Sequence, residues 1–282
     1  MSISVDVKNI RALVLDLDGT VLDPGAVLTG RTTRAIKACI QRGLRVIIAT
    51  GRATDSAERF RTALGAEGPM IYFNGAVIAD MPGAKTLKTT LLDPKAADFC
   101  LDLSRETGVY YQVFFPGTED DPRIKLMAER EAPEREMYFN HTGLLAELCD
   151  LKEVLRRPGL QGCIKSMFLA EPEVQAALRP KLDEGLGRSV YIAQALRTFL
   201  EVMDAGVSKG RGLKFIMERC SLKSEEVIAF GDDENDLPMF EAAGFSAVPS
   251  NAKDSVKARA DLIIGSNADD GVAAFLEEFF GL

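Results

Sequence analysis

Two acidic residues directly follow an apolar run near the start of the chain. Residues 12–15 are Ala-Leu-Val-Leu, and the next five form the motif Asp16-Leu17-Asp18-Gly19-Thr20. An apolar run without alternation indicates a strand buried on both faces of a parallel sheet. Because side chains alternate along a strand, Asp16 and Asp18 are expected on one side, at its carboxyl end. An Asp-Gly pair is also a common turn, so this pair gains meaning only from the rest of the chain.

A second acidic motif follows another apolar run. Residues 227–230 are Val-Ile-Ala-Phe, and they lead into Gly231-Asp232-Asp233-Glu234-Asn235-Asp236. If both motifs share one pocket, each pair of ionised carboxylates repels by about 4 kcal/mol at 4 Å for an effective dielectric of 20. Several such pairs approach the roughly 5–15 kcal/mol that stabilises a whole domain. The sequence therefore predicts a bound cation at these carboxylates.

The available ligands indicate which cation this is. They are all oxygens, since His141 is the only histidine and no cysteine lies near a motif. Such donors favour a hard ion, Mg²⁺ before Ca²⁺ or Mn²⁺, and Mg²⁺ commonly binds a substrate phosphate as well. The Thr50 hydroxyl, the Gly51 backbone N–H and Lys209 at a predicted helix start could accept that phosphate.

The elements that carry these residues repeat a simple order. Apolar runs lie at 44–49, 70–73, 227–230, 245–248 and 262–264, with helical patterns between them, and Thr29 is the expected N-cap of the first helix. Strands alternating with helices predict an α/β fold with a doubly wound parallel sheet. Ligands bind such sheets beyond the carboxyl ends of the strands, where the polar residues lie.

The pattern changes in the middle of the chain. Met81-Pro82-Gly83 is the expected hairpin turn, and from about Ala84 helical and strand-like segments follow in a different order. The first pattern resumes at Phe199 to Val202. We therefore predict a core domain from residues 1–84 and 199–282, and an inserted α+β domain at 85–198, in a chain longer than one ordinary domain.

Composition narrows the class of protein. Of the 282 residues 46% are hydrophobic and 27% are charged, as in a globular protein. The net charge of −8 has no basic tail, which argues against nucleic acid as a partner. No apolar run approaches the roughly 20 residues that span a bilayer, and the first eleven residues lack a secretory signal pattern. Five scattered cysteines without a C-x-x-C pair indicate reduced thiols. We expect a cytoplasmic protein without membrane contact.

The motif set resembles the haloacid dehalogenase superfamily of phosphohydrolases, and within it the Cof-type phosphatases with a large C2-type (C2B) cap. The matching segments are Asp16-Leu17-Asp18-Gly19-Thr20, Thr50-Gly51-Arg52, Tyr72-Phe73-Asn74-Gly75-Ala76, Val207-Ser208-Lys209-Gly210 and Gly231-Asp232-Asp233-Glu234-Asn235-Asp236. The resemblance covers both core segments almost end to end and fades within the inserted domain. The chain departs from the family at Pro249 and Ser250, where relatives have a glycine before the pair Asn251-Ala252.

The resemblance implies a role for each matching residue. Asp16 would attack phosphorus and form an aspartyl-phosphate, and Asp18 would donate and then accept a proton. The metal ligands would be Asp16, the backbone carbonyl of Asp18 and Asp232, with Asp236 nearby or bound through water. The phosphoryl oxygens would be held by Thr50, Gly51, Lys209, Asn235 and Asn74. The inserted domain would select the substrate.

The implied function is a Mg²⁺-dependent phosphatase for small phosphomonoesters, with sugar phosphates, pyridoxal phosphate or flavin mononucleotide as candidates. One alternative is a phosphomutase similar to the phosphomannomutases of the same superfamily. Another is a non-catalytic binding module, which would have lost an acid or Lys209, whereas all are present. We expect a monomer or a homodimer.

Aromatic residues are concentrated in the inserted domain. We expect most of them to form its core, because strands place aromatic side chains inward. One or two rings lining the cleft would favour a flat leaving group such as pyridoxal over a sugar. His141 is expected to be a substrate contact or a surface residue, not a metal ligand. The residues concerned are Tyr110, Tyr111, Phe114, Phe115, Tyr138, Phe139 and His141.

Overall fold

Strands and helices alternate along most of the chain, and the computed structural model describes residues 7–83, 85–117, 123–195 and 197–282. The strands are β1 (Ala12–Leu15), β2 (Arg45–Ile48), β3 (Gly68–Tyr72), β4 (Val77–Met81), β5 (Lys85–Thr89), β6 (Tyr110–Phe115), β7 (Lys125–Ala128), β8 (Glu147–Leu148), β9 (Lys165–Leu169), β10 (Val190–Ala195), β11 (Phe199–Asp204), β12 (Val227–Phe230), β13 (Phe245–Pro249) and β14 (Leu262–Ile264). The α-helices are α1 (Gly30–Gln41), α2 (Thr54–Leu64), α3 (Pro94–Thr107), α4 (Pro133–Thr142), α5 (Leu151–Leu155), α6 (Pro172–Leu186), α7 (Lys209–Cys220), α8 (Leu237–Phe240), α9 (Asp254–Lys257) and α10 (Gly271–Phe280).

The chain divides into two compact units. The first consists of Met1–Lys88 and Ser208–Leu282, and the second of Thr89–Val207. The first boundary lies four residues beyond the one expected from the sequence (88 against 84), and the second lies nine residues beyond it (208 against 199). Ala84, at the first expected boundary, is outside the described residues. Among the described residues, no helix is both long and apolar enough to cross a membrane.

A five-stranded parallel sheet forms the centre of the first unit, in the order β14-β13-β12-β1-β2. Leu15 of β1 lies opposite Phe230 of β12 on one side and Ile48 of β2 on the other. All four residues of β1 are buried, as the unbroken apolar run predicts. The predicted α/β fold with a parallel central sheet is confirmed.

Helix α7 packs its apolar face on this sheet. Leu213 and Ile216 are fully buried in one cluster with Val14 and Ala229. A buried side chain of this size contributes about 1.5–3 kcal/mol, so the sheet fixes the position of Lys209, the first residue of α7. At α1 the predicted cap is also confirmed, because the Thr29 side chain accepts a hydrogen bond from the Thr32 N–H (3.1 Å).

The run at 70–73 belongs to a sheet of its own. It forms β3, which pairs antiparallel with β4, and β5 follows β4 in a three-stranded sheet. The expected hairpin turn at Met81-Pro82-Gly83 therefore connects β4 and β5. A parallel bridge from Ala49 to Ile71 links β3 to the residue after β2. The prediction that β3 extends the parallel sheet is wrong in this respect, because its regular ladder is formed with β4.

The second unit contains a six-stranded sheet in the order β10-β11-β9-β6-β7-β8. Neighbouring strands run antiparallel except for β7 and β8. Helices α3, α5 and α6 contribute Leu101, Leu155 and Leu182 to a core with Phe168 of β9. This unit therefore has the α+β character expected for the inserted region.

The strand at Phe199–Asp204 corrects one prediction. Phe199 to Val202 was expected to return the chain to the parallel sheet, but β11 lies between β9 and β10 in the second unit. Apart from Glu201, residues 199–203 are apolar, as in a strand of a covered parallel sheet, although this strand lies in a mostly antiparallel sheet. Glu201, buried within this strand, pairs with Lys165 of the adjacent strand (2.5 Å).

Most aromatic residues of the second unit lie in its interior, as predicted. Five of the seven residues singled out are buried, namely Tyr110, Tyr111, Phe114, Phe115 and Tyr138. Phe139 and His141 are exposed, and the His141 ring lies edge-on to Phe199 with their centroids 6.0 Å apart. His141 is therefore a surface residue of this unit.

Candidate active site

The two acidic motifs meet because β1 and β12 are parallel neighbours that end at the same edge of the sheet. The Asp16 N–H donates to the Phe230 carbonyl (3.0 Å), which places Asp16 beside the end of β12. Carboxylate oxygens of Asp16, Asp232 and Asp236 all lie within 4.8 Å of one another. We refer to these three residues as the acidic cluster. Sequence positions about two hundred residues apart thus form one site.

The side chain of Lys209 supplies a positive charge to the acidic cluster. Its Nζ donates to Asp16 Oδ1 (2.6 Å) and to Asp236 Oδ1 (2.6 Å), and the residue is 1% exposed. It is the first residue of α7, and the side chain of Ser208 caps that helix by accepting from the Arg211 N–H (3.1 Å). The predicted position of Lys209 at a helix start is confirmed.

Asp236 organises the turn that contains it. It is fully buried, and its Oδ2 accepts the N–H groups of Asp232 (2.9 Å) and Asp233 (3.1 Å). Its other oxygen is therefore directed to Lys209. Asp232 is held from the opposite motif, because its Oδ1 accepts the Thr20 hydroxyl (2.9 Å). The turn after β1 thus brings Thr20 of the first motif to Asp232 of the second.

The charges of the acidic cluster do not balance, because three carboxylates face one ammonium. Burial raises the pKa of Asp16 well above its usual value, Lys209 opposes this, and the charges of Asp236, Asp232 and Asp18 add to it. Burial and then the charge of Asp236 raise the pKa of Asp232 to about 7. Burial lowers the pKa of Lys209, but Asp16 and Asp236 outweigh it and the pKa is raised. A divalent cation would remove this excess of negative charge, so the donor set fits the Mg²⁺ that the sequence predicts.

The carboxylate of Asp18 lies in a different setting from that of Asp16. The guanidinium of Arg52 donates to both of its oxygens, Nε to Oδ2 (2.7 Å) and Nη2 to Oδ1 (2.6 Å). The Asp18 side chain is 41% exposed, whereas that of Asp16 is 8% exposed. The extended strand ends before Asp16, and the turn at Leu17–Val21, in which Asp18 and Gly19 have non-helical backbone angles, positions Asp18 instead of simple alternation. The sequence left Arg52 without a role, although it lies within a recognised motif.

Thr50, Gly51, Asn74 and Asn235 form a second connected group at the same edge of the sheet. The Thr50 N–H donates to the Ile71 carbonyl (2.9 Å), and its carbonyl accepts the Asn74 N–H (3.0 Å). Asn235 Nδ2 donates to Asn74 Oδ1 (3.0 Å). A Cβ at Gly51 would lie 3.0 Å from Asn74 Oδ1, so the Gly51 backbone is in close contact with this group. All the residues expected to bind phosphate are thus joined to one another or, for Lys209, to the acidic cluster.

Gly75 connects this group to the start of α7. Its φ of +103° is in the region that favours glycine, and a Cβ there would lie 2.4 Å from the Ser208 carbonyl oxygen. Asn74 also has a positive φ, +55°, which asparagine tolerates better than most residues. The Asn74-Gly75 pair is therefore required by a close approach to the residue before Lys209.

Asp233 lies outside the acidic cluster. Its carboxylate accepts the Glu234 N–H (2.6 Å) and pairs with Lys253 (2.7 Å). These contacts explain how three aspartates can occur in one short turn while only two of them join Asp16. Asp233 therefore serves as a chemical match for the other aspartates in mutational tests.

The site and the fold together define a class, namely α/β enzymes with an acidic site at the carboxyl edge of a parallel sheet. The sequence profile of haloacid dehalogenase-like hydrolases matches residues 13–276. The chain belongs to this family, so the resemblance seen in the motifs is confirmed, as is the expectation of a hydrolase.

Individual relatives agree with this membership. The chain is 28% identical over 286 residues to the 5-amino-6-(5-phospho-D-ribitylamino)uracil phosphatase YwtE of Bacillus subtilis, covering 95% of this chain and 97% of the relative. It is 29% identical over 274 residues to the pyridoxal phosphate phosphatase YbhA of Escherichia coli, covering 94% and 97%. The crystal structure of TM0651 from Thermotoga maritima has a TM-score of 0.81 at 29% identity, covering 95% of this chain and 97% of that one.

One relative is much longer than this chain. The chain is 29% identical over 272 residues to the chloroplastic endoribonuclease YBEY of Arabidopsis thaliana, covering 92% of this chain and 44% of that protein. The chain thus spans less than half of that relative.

Proposed function

We propose that the protein is a Mg²⁺-dependent phosphatase that hydrolyses small phosphomonoesters through an aspartyl-phosphate on Asp16. The observation that carries this proposal is the acidic cluster around Lys209, which combines a buried carboxylate nucleophile with an excess of negative charge. The phosphatase names of the relatives YwtE and YbhA support the reaction type. The carboxylates also support catalysis over a binding module, because among the described residues every acid required by the motifs is in place.

The residues divide the reaction into two displacements. A carboxylate oxygen of Asp16 attacks phosphorus in line. A bond forms between this oxygen and phosphorus, and the bond from phosphorus to the leaving oxygen breaks. Asp18 gives its proton to the leaving oxygen, which first requires its pair with Arg52 to open. Water then attacks the same phosphorus, Asp18 takes a proton from it, and phosphate leaves as the Asp16 carboxylate is restored.

The remaining residues bind and orient the phosphoryl group. Asp16, Asp232 and Asp236, with the backbone carbonyl of Asp18 that the resemblance implies, would hold the ion, which neutralises charge on the phosphoryl oxygens when bound. Lys209 favours the ionised form of Asp16 that attack requires. Thr50, the Gly51 N–H, Asn74 and Asn235 are assigned to the phosphoryl oxygens, because they form one connected polar group at the same edge.

Substrate choice is assigned to the second unit, as the resemblance implies. The buried aromatic rings of that unit pack on each other, with Phe114 and Tyr138 6.3 Å apart and Tyr138 and Phe199 5.3 Å apart between centroids. This packing explains them as core residues, so it gives no preference for pyridoxal phosphate over sugar phosphates. A panel that includes both, together with flavin mononucleotide, would rank the candidates by kcat/KM.

The test compares Asp16, which belongs to the acidic cluster, with Asp233, which follows Asp232 in the chain but pairs with Lys253 outside the cluster. Phosphate release from p-nitrophenyl phosphate is measured with Mg²⁺ and after chelation, for wild type, Asp16→Asn and Asp233→Asn. We expect activity only with the ion, complete loss in Asp16→Asn, and retention of most activity in Asp233→Asn. Full activity of Asp16→Asn would show that Asp16 is not the nucleophile. Undiminished turnover in chelator would show that the reaction does not need the ion.

A further inference from the structure

Asn251 connects the turn after β1 to the C-terminal part of the first unit. Its Nδ2 donates to the Gly19 carbonyl (2.8 Å), and its Oδ1 accepts the Asn267 N–H (2.9 Å). The two partners fix which way the amide points, because a carbonyl can only accept and an N–H can only donate. The side chain therefore acts as a bridge with one chemically defined orientation.

The turn that receives this bridge carries functional groups on both sides of Gly19. Asp18 precedes it, and Thr20, which follows, donates to Asp232 (2.9 Å). Gly19 has a φ of +76°, and glycine has wide conformational freedom. Any rotation at Gly19 would turn the Asp18 carbonyl and displace the Thr20 hydroxyl. A hydrogen bond to the Gly19 carbonyl limits this rotation.

We propose that Asn251 is a positioning residue that fixes the Gly19 peptide and through it the Asp18 carbonyl and the Thr20 contact with Asp232. The proposal rests on the proposed function for its catalytic consequence. The bridge itself is a separate structural claim, and it can be measured in the metal-free protein.

Two substitutions separate positioning from simple attachment. Asn251→Asp keeps an oxygen that can accept the Asn267 N–H, but places a second oxygen against the Gly19 carbonyl. Asn251→Ala removes both contacts, and with them the longer one in which the Ser266 hydroxyl donates to Asn251 Oδ1 (3.5 Å). If Asn251 merely attaches its own loop to residue 267, the aspartate variant is harmless and the alanine variant is not. If it positions Gly19, the aspartate variant is at least as damaging as the alanine variant.

Asn267→Ala is the matched control. The Asn267 side chain also donates to a backbone carbonyl, that of Leu22 (2.8 Å), just beyond the turn. Like Asn251→Ala, this substitution removes an amide side chain from the same network, but it leaves the donor to Gly19 in place. It therefore reports the general cost of weakening this part of the unit.

Three readouts are measured on the full chain. Hydrogen exchange of residues 17–21 is followed in metal-free protein, Mg²⁺ binding by calorimetry, and kcat and KM with p-nitrophenyl phosphate. Removing partners that orient metal ligands typically reduces metal affinity or activity by about 10–100-fold. For Asn251→Asp and Asn251→Ala we expect faster exchange in 17–21, tenfold or greater loss in Mg²⁺ affinity or kcat, and KM within about twofold of wild type. Asn267→Ala should show less than about threefold change in each.

The proposal is overturned if Asn251→Asp exchanges and turns over like wild type, or if Asn267→Ala matches the Asn251 variants in all three readouts. Failure of the proposed function has a different signature, since wild type itself would then release no phosphate. In that case the exchange measurement still decides whether Asn251 holds the turn.

Discussion

Replacing Lys209 with methionine should destabilise the metal-free protein strongly. The ammonium lies 2.6 Å from carboxylate oxygens of both Asp16 and Asp236. Each contact is worth about 6 kcal/mol at this distance for an effective dielectric of 20, before the cost of desolvation. Removing one partner of a buried pair typically costs about 3–5 kcal/mol net. Because one lysine serves two carboxylates here, we expect a loss near the upper end, about 5 kcal/mol.

The assay is urea unfolding of wild type and Lys209→Met at pH 7.5, in chelator and in excess Mg²⁺. In chelator the free energy of unfolding of the variant should be about 5 kcal/mol lower than that of wild type. Mg²⁺ should restore more stability to the variant than it adds to wild type, because the ion then supplies the missing positive charge. Adding Asp236→Asn to Lys209→Met should also recover stability, since it removes one unpaired carboxylate.

A difference below about 1 kcal/mol between Lys209→Met and wild type in chelator would refute this reasoning, since that is the range of an exposed ion pair. Equal stabilisation of both proteins by Mg²⁺ would contradict the claim that the ion replaces the positive charge of Lys209. Methionine retains the length and most of the volume of lysine, so a large loss cannot be attributed to a cavity.

Two further predictions concern other buried charges. The pKa of Asp232 is raised to about 7 from a usual 3.8. Its contribution to the free energy of unfolding is therefore complete below pH 4 and is lost as pH rises through 7. From this residue alone, metal-free protein should be about 2 kcal/mol less stable at pH 7.5 than at pH 5.5. Urea unfolding at both pH values tests this, and a slope unchanged in Asp232→Asn would contradict it. In the second unit, Lys165→Met should cost about 3–5 kcal/mol because it leaves Glu201 buried without its lysine, whereas Lys165→Met with Glu201→Leu should recover most of the loss. Thermal unfolding of both variants measures this, and equal melting temperatures for the single and double variants would show that the pair is not coupled.

The sequence predicted the site correctly where an acidic residue follows the end of a predicted strand. Asp16 and Asp232 follow runs that are apolar throughout, and such runs favour a strand in a sheet covered on both faces. Parallel neighbours end at one edge, so their meeting followed from the fold class. Lys209 at a helix start followed in the same way from local pattern.

Tertiary structure was needed where a contact joins distant segments through groups that have many alternatives. An arginine can bind any nearby acid, and only the fold selects Asp18 for Arg52. Thr20 could have bonded its own backbone, but packing places Asp232 within its reach. These side chains carry no periodic signal that indicates a partner.

The sequence by itself determined the alternation of strands and helices, the edge at which the acids gather, and the family. Only the tertiary structure decided that Phe199–Asp204 pairs in the second unit and that Asn251 reaches the Gly19 carbonyl. The physical reason is the same in both cases. Burial and helix capping depend on neighbours in sequence, whereas the choice of a strand partner or a hydrogen-bond acceptor depends on which of several equivalent groups the folded chain brings within 3 Å.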